Sequence, residues 1–311
     1  MNPKDLYINN HNYYMVGETW QGHMVAFSEF CRRSTQKNVL EVGSPDGELF
    51  SRVNGPGVEN WTVYEQNPSK YFRKDVKLSL IKTYFDQNTS VDKKYDTVVL
   101  SHVLEHFYDP RAMLYKFHDL LTPGGKLLLS FPNMDYITKN NLMPPLCLNF
   151  EHTYFLGQKG LLNFLWSNGF EPEVVETYKN HSIFVCAVKT FGVELVKPQR
   201  KVYASRLKRM LNNIKADVLR VNKRIKKAYL YGAHFSSQYL FQLGLDPQKI
   251  TAILDNSKSK QGAYLYGVGL PVLDPFCIAK EKTPTVICRM GIYTEEIVKN
   301  LREINPGVRI L

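Results

Sequence analysis

The sequence predicts two α/β domains in series, joined by a basic helix. Up to about residue 190, short apolar stretches bounded by Gly, Pro or Asn alternate with stretches of helical spacing. Strands separated by helices imply a parallel, doubly wound sheet. The same alternation restarts at Ala228, after a long run that is helical in period and strongly basic. At 311 residues the chain also exceeds one typical core, which suggests about two domains.

Taken in order, NVLEVG, NWTVYEQ, YDTVVLS and GKLLLSF read as strands. PRAMLYKFHDLL has helical spacing and stops at TPGG, where Pro and Gly end a helix. In Val202–Lys227, Leu207, Leu211, Ile214, Val218, Val221 and Ile225 recur at steps of four and three, one apolar stripe on a basic helix. The second α/β unit follows: AYLYGA as strand and turn, HFSSQYLFQLGL as helix, ITAILDN as a strand ending in an acid, then TPTVICRM and a helical YTEEIVKNLREI. The expected divisions are 1–34, 35–190, 191–227 and 228–311.

Composition limits what such a chain does. Hydrophobic content of 44% and charged content of 22% are those of a globular protein. No apolar run approaches the roughly 20 residues of a membrane span, and the polar start MNPKDLYINNHNYY is unlike a signal peptide. Cys31, Cys147, Cys186, Cys277 and Cys288 are scattered and never form CxxC, which fits a reducing cytoplasm and argues against a disulfide framework or a cysteine zinc site. The net charge is +11, and Phe191–Lys227 carries twelve Lys/Arg against Glu194 and Asp217. The basic charge is therefore local. It reads first as the solvated face of a bridging helix, and second as a surface for a polyanion, a membrane or another anionic partner. No nucleic-acid motif accompanies it.

Candidate chemistry begins at VLEVGSPDGELF. The strand delivers Glu41, Gly43, Ser44, Pro45, Asp46 and Gly47 into a turn before a helix, and glycines there let a ligand approach the backbone. The next strand ends in Glu65 and Gln66, and an acid at that point can accept hydrogen bonds from ribose hydroxyls. NAD and S-adenosylmethionine are served equally well by these features. Further on, His102, Glu105 and His106 fit H-x-x-E-H, a zinc-peptidase pattern. Against zinc, the motif follows a strand directly, Pro110 leaves little room for a long helix, and no third ligand is signposted. His106 reads as a packing residue at the start of a helix. Glu151-His152 lies after the GKLLLSF strand and before an amphipathic stretch, where a carboxylate beside an imidazole suits a general base.

Residues 95–133, YDTVVLSHVLEHFYDPRAMLYKFHDLLTPGGKLLLSFPN, resemble class I S-adenosylmethionine-dependent methyltransferases, with the D-x-V strand, the LEH and DP after it, and the L-x-PGG-x-L strand entry. The resemblance implies a Rossmann-like methyltransferase domain over 35–190, with S-adenosylmethionine as cofactor. Glu41, Gly43, Ser44, Asp46 and Gly47 would frame its aminoacyl part, Glu65 and Gln66 its ribose, Asp86 its adenine amine, and Ser101 and His102 the methyl-donor side. EVGSPDG, the Glu-His of FEHTYF, and YGA with Asp255 and KQG-x-Y-L-x-G resemble deoxysugar C-methyltransferases, which act on nucleotide-linked ketosugars. That likeness implies a smaller Rossmann-like domain at 228–311 and His152 as general base beside Glu151. It also implies a tyrosine, Tyr13 or Tyr14, reaching the site from an N-terminal substrate lid over 1–34. Those enzymes begin with a cysteine-ligated zinc domain, for which this sequence has no cysteine pairs. The acceptor therefore stays open among a nucleotide sugar, a sugar phosphate and a glycan end, methylated at oxygen or carbon. Other readings are a methyltransferase-fold binding protein without catalysis and an NAD-dependent sugar-modifying enzyme. In the second domain, Gly232 and Asp255 suggest either a second nucleotide site or, in the preferred reading, a degenerate unit used for packing or acceptor contacts.

Overall fold

The computed structural model describes residues 17–142, 151–191 and 201–311, the side chains of 201–203 excepted. The chain forms two compact units.

In the first unit, helix α1 (Glu18–Arg32) precedes the central strand β1 (Asn38–Val42) and the short helix α2 (Glu48–Val53). Strands β2 (Asn60–Tyr64), β3 (Leu78–Ile81) and β4 (Tyr95–Ser101) follow, then helix α3 (Pro110–Leu120) and β5 (Leu121–Pro132). Helix α4 (Gln158–Trp166) leads to the hairpin β6 (Phe170–Tyr178) and β7 (Ser182–Lys189). The seven strands run β3-β2-β1-β4-β5-β7-β6, all parallel except β7, which is antiparallel to both neighbours.

A central parallel strand is buried on both faces and so loses hydropathy alternation. β1 shows it: Val39 joins a cluster with Phe27, Phe30, Phe50 and Trp61, while Leu40 and Val42 join another with Tyr95, Phe117 and Leu129. Helix α3 starts where Asp109 Oδ1 accepts the Ala112 amide at 3.0 Å and Pro110 fills the first turn. Its Met113, Leu114, Phe117 and Leu120 are buried, as the spacing predicts. The expected strand at GKLLLSF begins earlier, at Leu121, because Tyr95 pairs with Leu121 across a register shift.

The N-terminal division also moves. Phe27, Phe30 and Cys31 of α1 lie in the first core, so residues 20–32 are part of this unit rather than a separate segment.

In the second unit, helix α5 (Lys201–Arg224) precedes β8 (Ala228–Tyr231), α6 (Phe235–Gln242), β9 (Ile250–Leu254), β10 (Val272–Leu273), β11 (Thr285–Ile287), α7 (Thr294–Ile304) and β12 (Arg309–Ile310). The five strands are all parallel, in the order β10-β9-β8-β11-β12. Met210, Ile214, Val218 and Val221 of α5 and Ile225 just beyond it are buried, while Lys208, Arg209, Lys215 and Lys223 are exposed. Asp217 bridges to Arg289, with Nε–Oδ2 at 2.9 Å. The basic helix is grouped with the second unit.

At this unit's switch point, a Cβ on Gly232 would meet Met290 Sδ at 2.6 Å. Asp255 already accepts the Ala233 amide at 2.8 Å and the Ser257 amide at 2.9 Å. Met290 thus packs on the glycine, and Asp255 is engaged within its own turn. Among the described residues, no helix is long and apolar enough to cross a membrane.

Candidate active site

Ligands of a doubly wound sheet collect beyond the carboxyl ends of the strands where their order reverses. In the first unit that point lies between β1 and β4. Gly43 has φ 79° and Gly47 φ 71°, conformations that favour glycine. A Cβ on Gly43 would also stand 2.8 Å from Val103 Cγ2. Between the glycines, Asp46 Oδ1 accepts the Glu48 amide at 2.9 Å, which meets one of the unsatisfied N–H groups at the start of α2. The Pro45 carbonyl accepts the Ser69 amide at 2.7 Å, so a proline serves here through its acceptor. Gly43→Ala is expected to lower stability by about 1–2 kcal/mol from its left-handed backbone alone. A thermal midpoint equal to the wild type's would contradict this.

Glu41 points into the core rather than out of the strand end. It is buried, its Oε2 accepts the Trp61 Nε1–H at 2.8 Å, and Ser44 hydrogen-bonds the same carboxylate. Burial pushes its carboxyl up to about 7, further helped by Asp46 and Glu65 and opposed by those two hydrogen bonds. Its role in this geometry is to anchor the turn through Ser44.

Glu65 follows the end of β2, half-buried beside Gln66, with its Oε1 accepting the Asn67 amide at 2.7 Å. Burial raises its pKa too. Asp86 closes a turn of its own, its Oδ1 accepting the Asn88 amide at 2.9 Å and the Thr89 hydroxyl at 3.2 Å.

Ser101 ends β4, its Oγ 3.5 Å from Ser130 Oγ. His102 adopts φ 52°, a left-handed conformation uncommon for a side-chain residue. Its amide donates to Ser130 at 3.1 Å, and both ring nitrogens are engaged: Nδ1 with Glu105 Oε1 at 3.1 Å and Nε2 with Ser182 Oγ at 2.8 Å. Any contact of His102 with a methyl donor therefore falls to its backbone.

Leu104–His106 is a single tight turn, not the long helix that H-x-x-E-H needs to put both histidines on one face. His106 instead faces the Glu-His pair. Its ring lies perpendicular to that of His152 with centroids 4.8 Å apart, and its Nδ1 is 3.9 Å from Glu151 Oε2. Thr153 ties this segment down: its amide donates to the Glu105 carbonyl at 2.8 Å and its hydroxyl to the Phe107 carbonyl. Glu105 is buried beneath, its pKa raised by burial and lowered by His106 and His152. The turn carrying Val103 thus touches Gly43 on one side and the Glu151-His152 segment on the other.

Glu151, His152, His106 and Glu105 are brought together, whereas Tyr13 and Tyr14 lie outside the described residues. The sequence reading gave His106 a packing role, and the structure gives it two ionisable neighbours. His23 and His181 were missed altogether. Lone histidines in WQGH and KNHSIF carry no local motif. Two groups are close enough to share a metal ion, His23, His102 and His181 in one and Glu105, His106 and His152 in the other.

The strand order with its single antiparallel strand, and the glycine turn at the switch point, define a Rossmann-like fold of the class I methyltransferase kind. Residues 21–176 match the methyltransferase domain family, and the chain belongs to it. Residues 189–309 match the C-methyltransferase C-terminal domain. S-Adenosylmethionine is accordingly the cofactor, which decides the choice the glycine turn left open. A protein of Mycolicibacterium smegmatis described as a probable S-adenosylmethionine-dependent methyltransferase is 28% identical over 158 residues, 49% of this chain and 58% of that protein. The chain thus spans little more than half of that relative's length. Among solved structures, the N-methyltransferase NodS of Bradyrhizobium japonicum with S-adenosyl-L-homocysteine is 15% identical. It covers 61% of this chain and 99% of its own, at a TM-score of 0.45. A 1,6-didemethyltoxoflavin-N1-methyltransferase of Burkholderia thailandensis is 12% identical, covering 60% and 84% at a TM-score of 0.44.

Proposed function

We propose that this chain methylates a sugar, at a carbon beside a carbonyl, with His152 taking the acceptor's proton. The observation that supports this most is the packing of Glu151 and His152 against the turn that leaves β4, itself in contact with Gly43. A base is thereby set beside the point where the cofactor family binds its donor. Carbon as the acceptor atom draws on the C-methyltransferase match over 189–309. The sugar draws on the resemblance of EVGSPDG and FEHTYF to deoxysugar methyltransferases.

The residues fit the cofactor. Gly43 and Gly47 leave a backbone that no side chain covers from within the turn, and Glu65 presents a half-buried carboxylate at the ribose position. Gly43, Ser44, Asp46 and Gly47 would hold the aminoacyl part, Glu65 and Gln66 the ribose, Asp86 the adenine amine, and Ser101 with the His102 backbone the remainder. When bound, S-adenosylmethionine supplies an electrophilic methyl group. The protein's task is then to orient the acceptor and hold its proton. His152 receives that proton, and Glu151 and Glu105 favour the resulting imidazolium. His106, packed edge-on, fixes the ring plane. A cytoplasmic setting is part of the proposal, supported by Cys31, Cys186, Cys277 and Cys288 being free thiols.

Labelled-methyl transfer is expected to a nucleotide ketosugar, and less or none to sugar phosphates and glycan ends. Label on a hydroxyl instead of a carbon would correct the acceptor atom, and no label on any sugar, with S-adenosylhomocysteine still bound, would remove the substrate class. Glu65→Ala is expected to weaken S-adenosylhomocysteine binding about 10–100-fold, the worth of a hydrogen bond to a charged group. Unchanged affinity by calorimetry would move the ribose elsewhere.

A further inference from the structure

Three imidazoles that the methyl-transfer reading does not use meet in the first unit. His23 comes from α1, His102 from the end of β4, and His181 from the turn between β6 and β7. His23 and His181 are buried, and His102 is nearly so, its side chain 13% exposed. We propose that these three histidines bind one divalent transition-metal ion of the zinc type.

The first argument is convergence. His102 Nε2 at 2.8 Å, His181 Nδ1 at 2.5 Å and His23 Nδ1 at 3.1 Å all point at one atom, Ser182 Oγ. The ring nitrogens of three residues far apart in sequence are thus aimed at a common centre.

The second is spacing. The ring centroids are 5.0 Å apart for His23–His102, 5.2 Å for His23–His181 and 5.4 Å for His102–His181, close to an equilateral triangle. With a Zn–N bond of about 2.0–2.1 Å the ion would lie about 3.2 Å from each centroid, so tetrahedral ligands would have centroids about 5.2 Å apart. None of the three pairs is stacked face to face, their planes meeting at 69°, 47° and 64°. Ser182 Oγ stands at that centre here, so it would turn aside to admit the ion, and the fourth position falls to a water.

The third is the surrounding shell. Ligating histidines usually give their other ring N–H to a carboxylate, which fixes the tautomer. His102 does so, its Nδ1 meeting Glu105 Oε1 at 3.1 Å. Glu105 is 1% exposed, and its Oε2 has no hydrogen-bond partner among the described residues. His23 lacks such a partner on its outer nitrogen: Nε2 is buried without a hydrogen bond among the described residues. Trp20 packs edge-on against all three rings, with centroids at 5.1, 5.0 and 4.7 Å. Burial also keeps the three imidazoles neutral, the state that ligates. The ion would clamp α1 and the β6–β7 turn to the end of β4.

A competing account is a knot of hydrogen bonds, in which the Ser182 hydroxyl donates to one nitrogen and accepts from two. The test separates them. The full chain, free of any histidine tag and stripped with EDTA, is titrated with Zn2+ and with Co2+. Elemental analysis is expected to find about one Zn2+ per chain, and the Co2+ form to show the visible bands of a tetrahedral nitrogen site. His23→Ala and His181→Ala should lose the ion, their folding checked by S-adenosylhomocysteine binding. Glu105→Gln should weaken it about 10–100-fold, and Ser182→Ala should keep it. Three results would overturn the proposal: no stoichiometric uptake of either ion, uptake lost in His152→Ala but kept in His23→Ala, or a Ser182→Ala chain that is destabilised and metal-free.

Discussion

His152→Ala is expected to lower the rate of methyl transfer by about 10²–10⁴-fold, the usual worth of a positioned general base, while S-adenosylhomocysteine affinity stays as in the wild type. The split follows from the geometry. His152 stands on the segment that Thr153 fastens to the Glu105 and Phe107 carbonyls, apart from the glycine turn in the chain. Removing its ring takes away the proposed proton acceptor and leaves the glycine turn and Glu65 untouched. His106→Phe keeps a ring to pack against His152 and loses the nitrogen 3.9 Å from Glu151. A fall of about tenfold or less is expected there, since it acts through His152 and not on the acceptor. Labelled-methyl kinetics and calorimetry on the same preparations check both. A His152→Ala enzyme within threefold of wild-type rate would show that another group takes the proton.

Glu41 should make the stability of the chain fall as pH rises through neutrality. Its carboxyl ionises at about 7 in the fold, against 4.5 as its ordinary value, so between those values the folded state holds a proton that the unfolded chain releases. The favourable contribution is complete below the unfolded value and is lost as pH passes 7. That difference corresponds to about 3 kcal/mol. Glu41→Gln keeps an acceptor for the Trp61 N–H and never ionises. Relative to the wild type it is expected to gain up to about 3 kcal/mol near pH 8.5 and little near pH 5. Denaturant midpoints at the two pH values measure it, and equal gains at both would place the cause in packing. The same comparison tests the anchoring role: Glu41→Gln should leave cofactor affinity within a few fold, because the carboxylate faces Trp61 and Ser44.

The two sheets were legible from local signals. NVLEV and YDTVVLS are buried on both faces, so they read as unbroken apolar runs, and the turn after NVLEV carries glycines at positive φ, where the turn after YDTVVLS instead has His102. Asp109-Pro110 announced the start of α3 for the same local reason. β3 and β6 were not legible, and the buried apolar run SIFVCAVK of β7 was not read as a strand. LSLI is an exposed edge strand and FEPEVVETY is half polar, so neither carries a burial pattern to read. The register of β5 with β4 and the antiparallel insertion of β7 depend on pairing across the sheet, which no local pattern encodes.

The candidate site divides in the same way. By itself the sequence determined the glycine turn, since φ and strand–turn–helix order are properties of neighbours in the chain. It also determined Glu151-His152 as a pair and the two-domain order. Only the tertiary structure turned Glu41 inward to Trp61, engaged both ring nitrogens of His102, moved His106 from a packing role to the side of His152, and gathered His23, His102 and His181 around Ser182. Apart from the local pairs His102–Glu105 and His181–Ser182, those groupings join residues 20 to 159 positions apart. Contacts at such separations are set by which strand ends the sheet order brings side by side, and that order is decided by packing over the whole core.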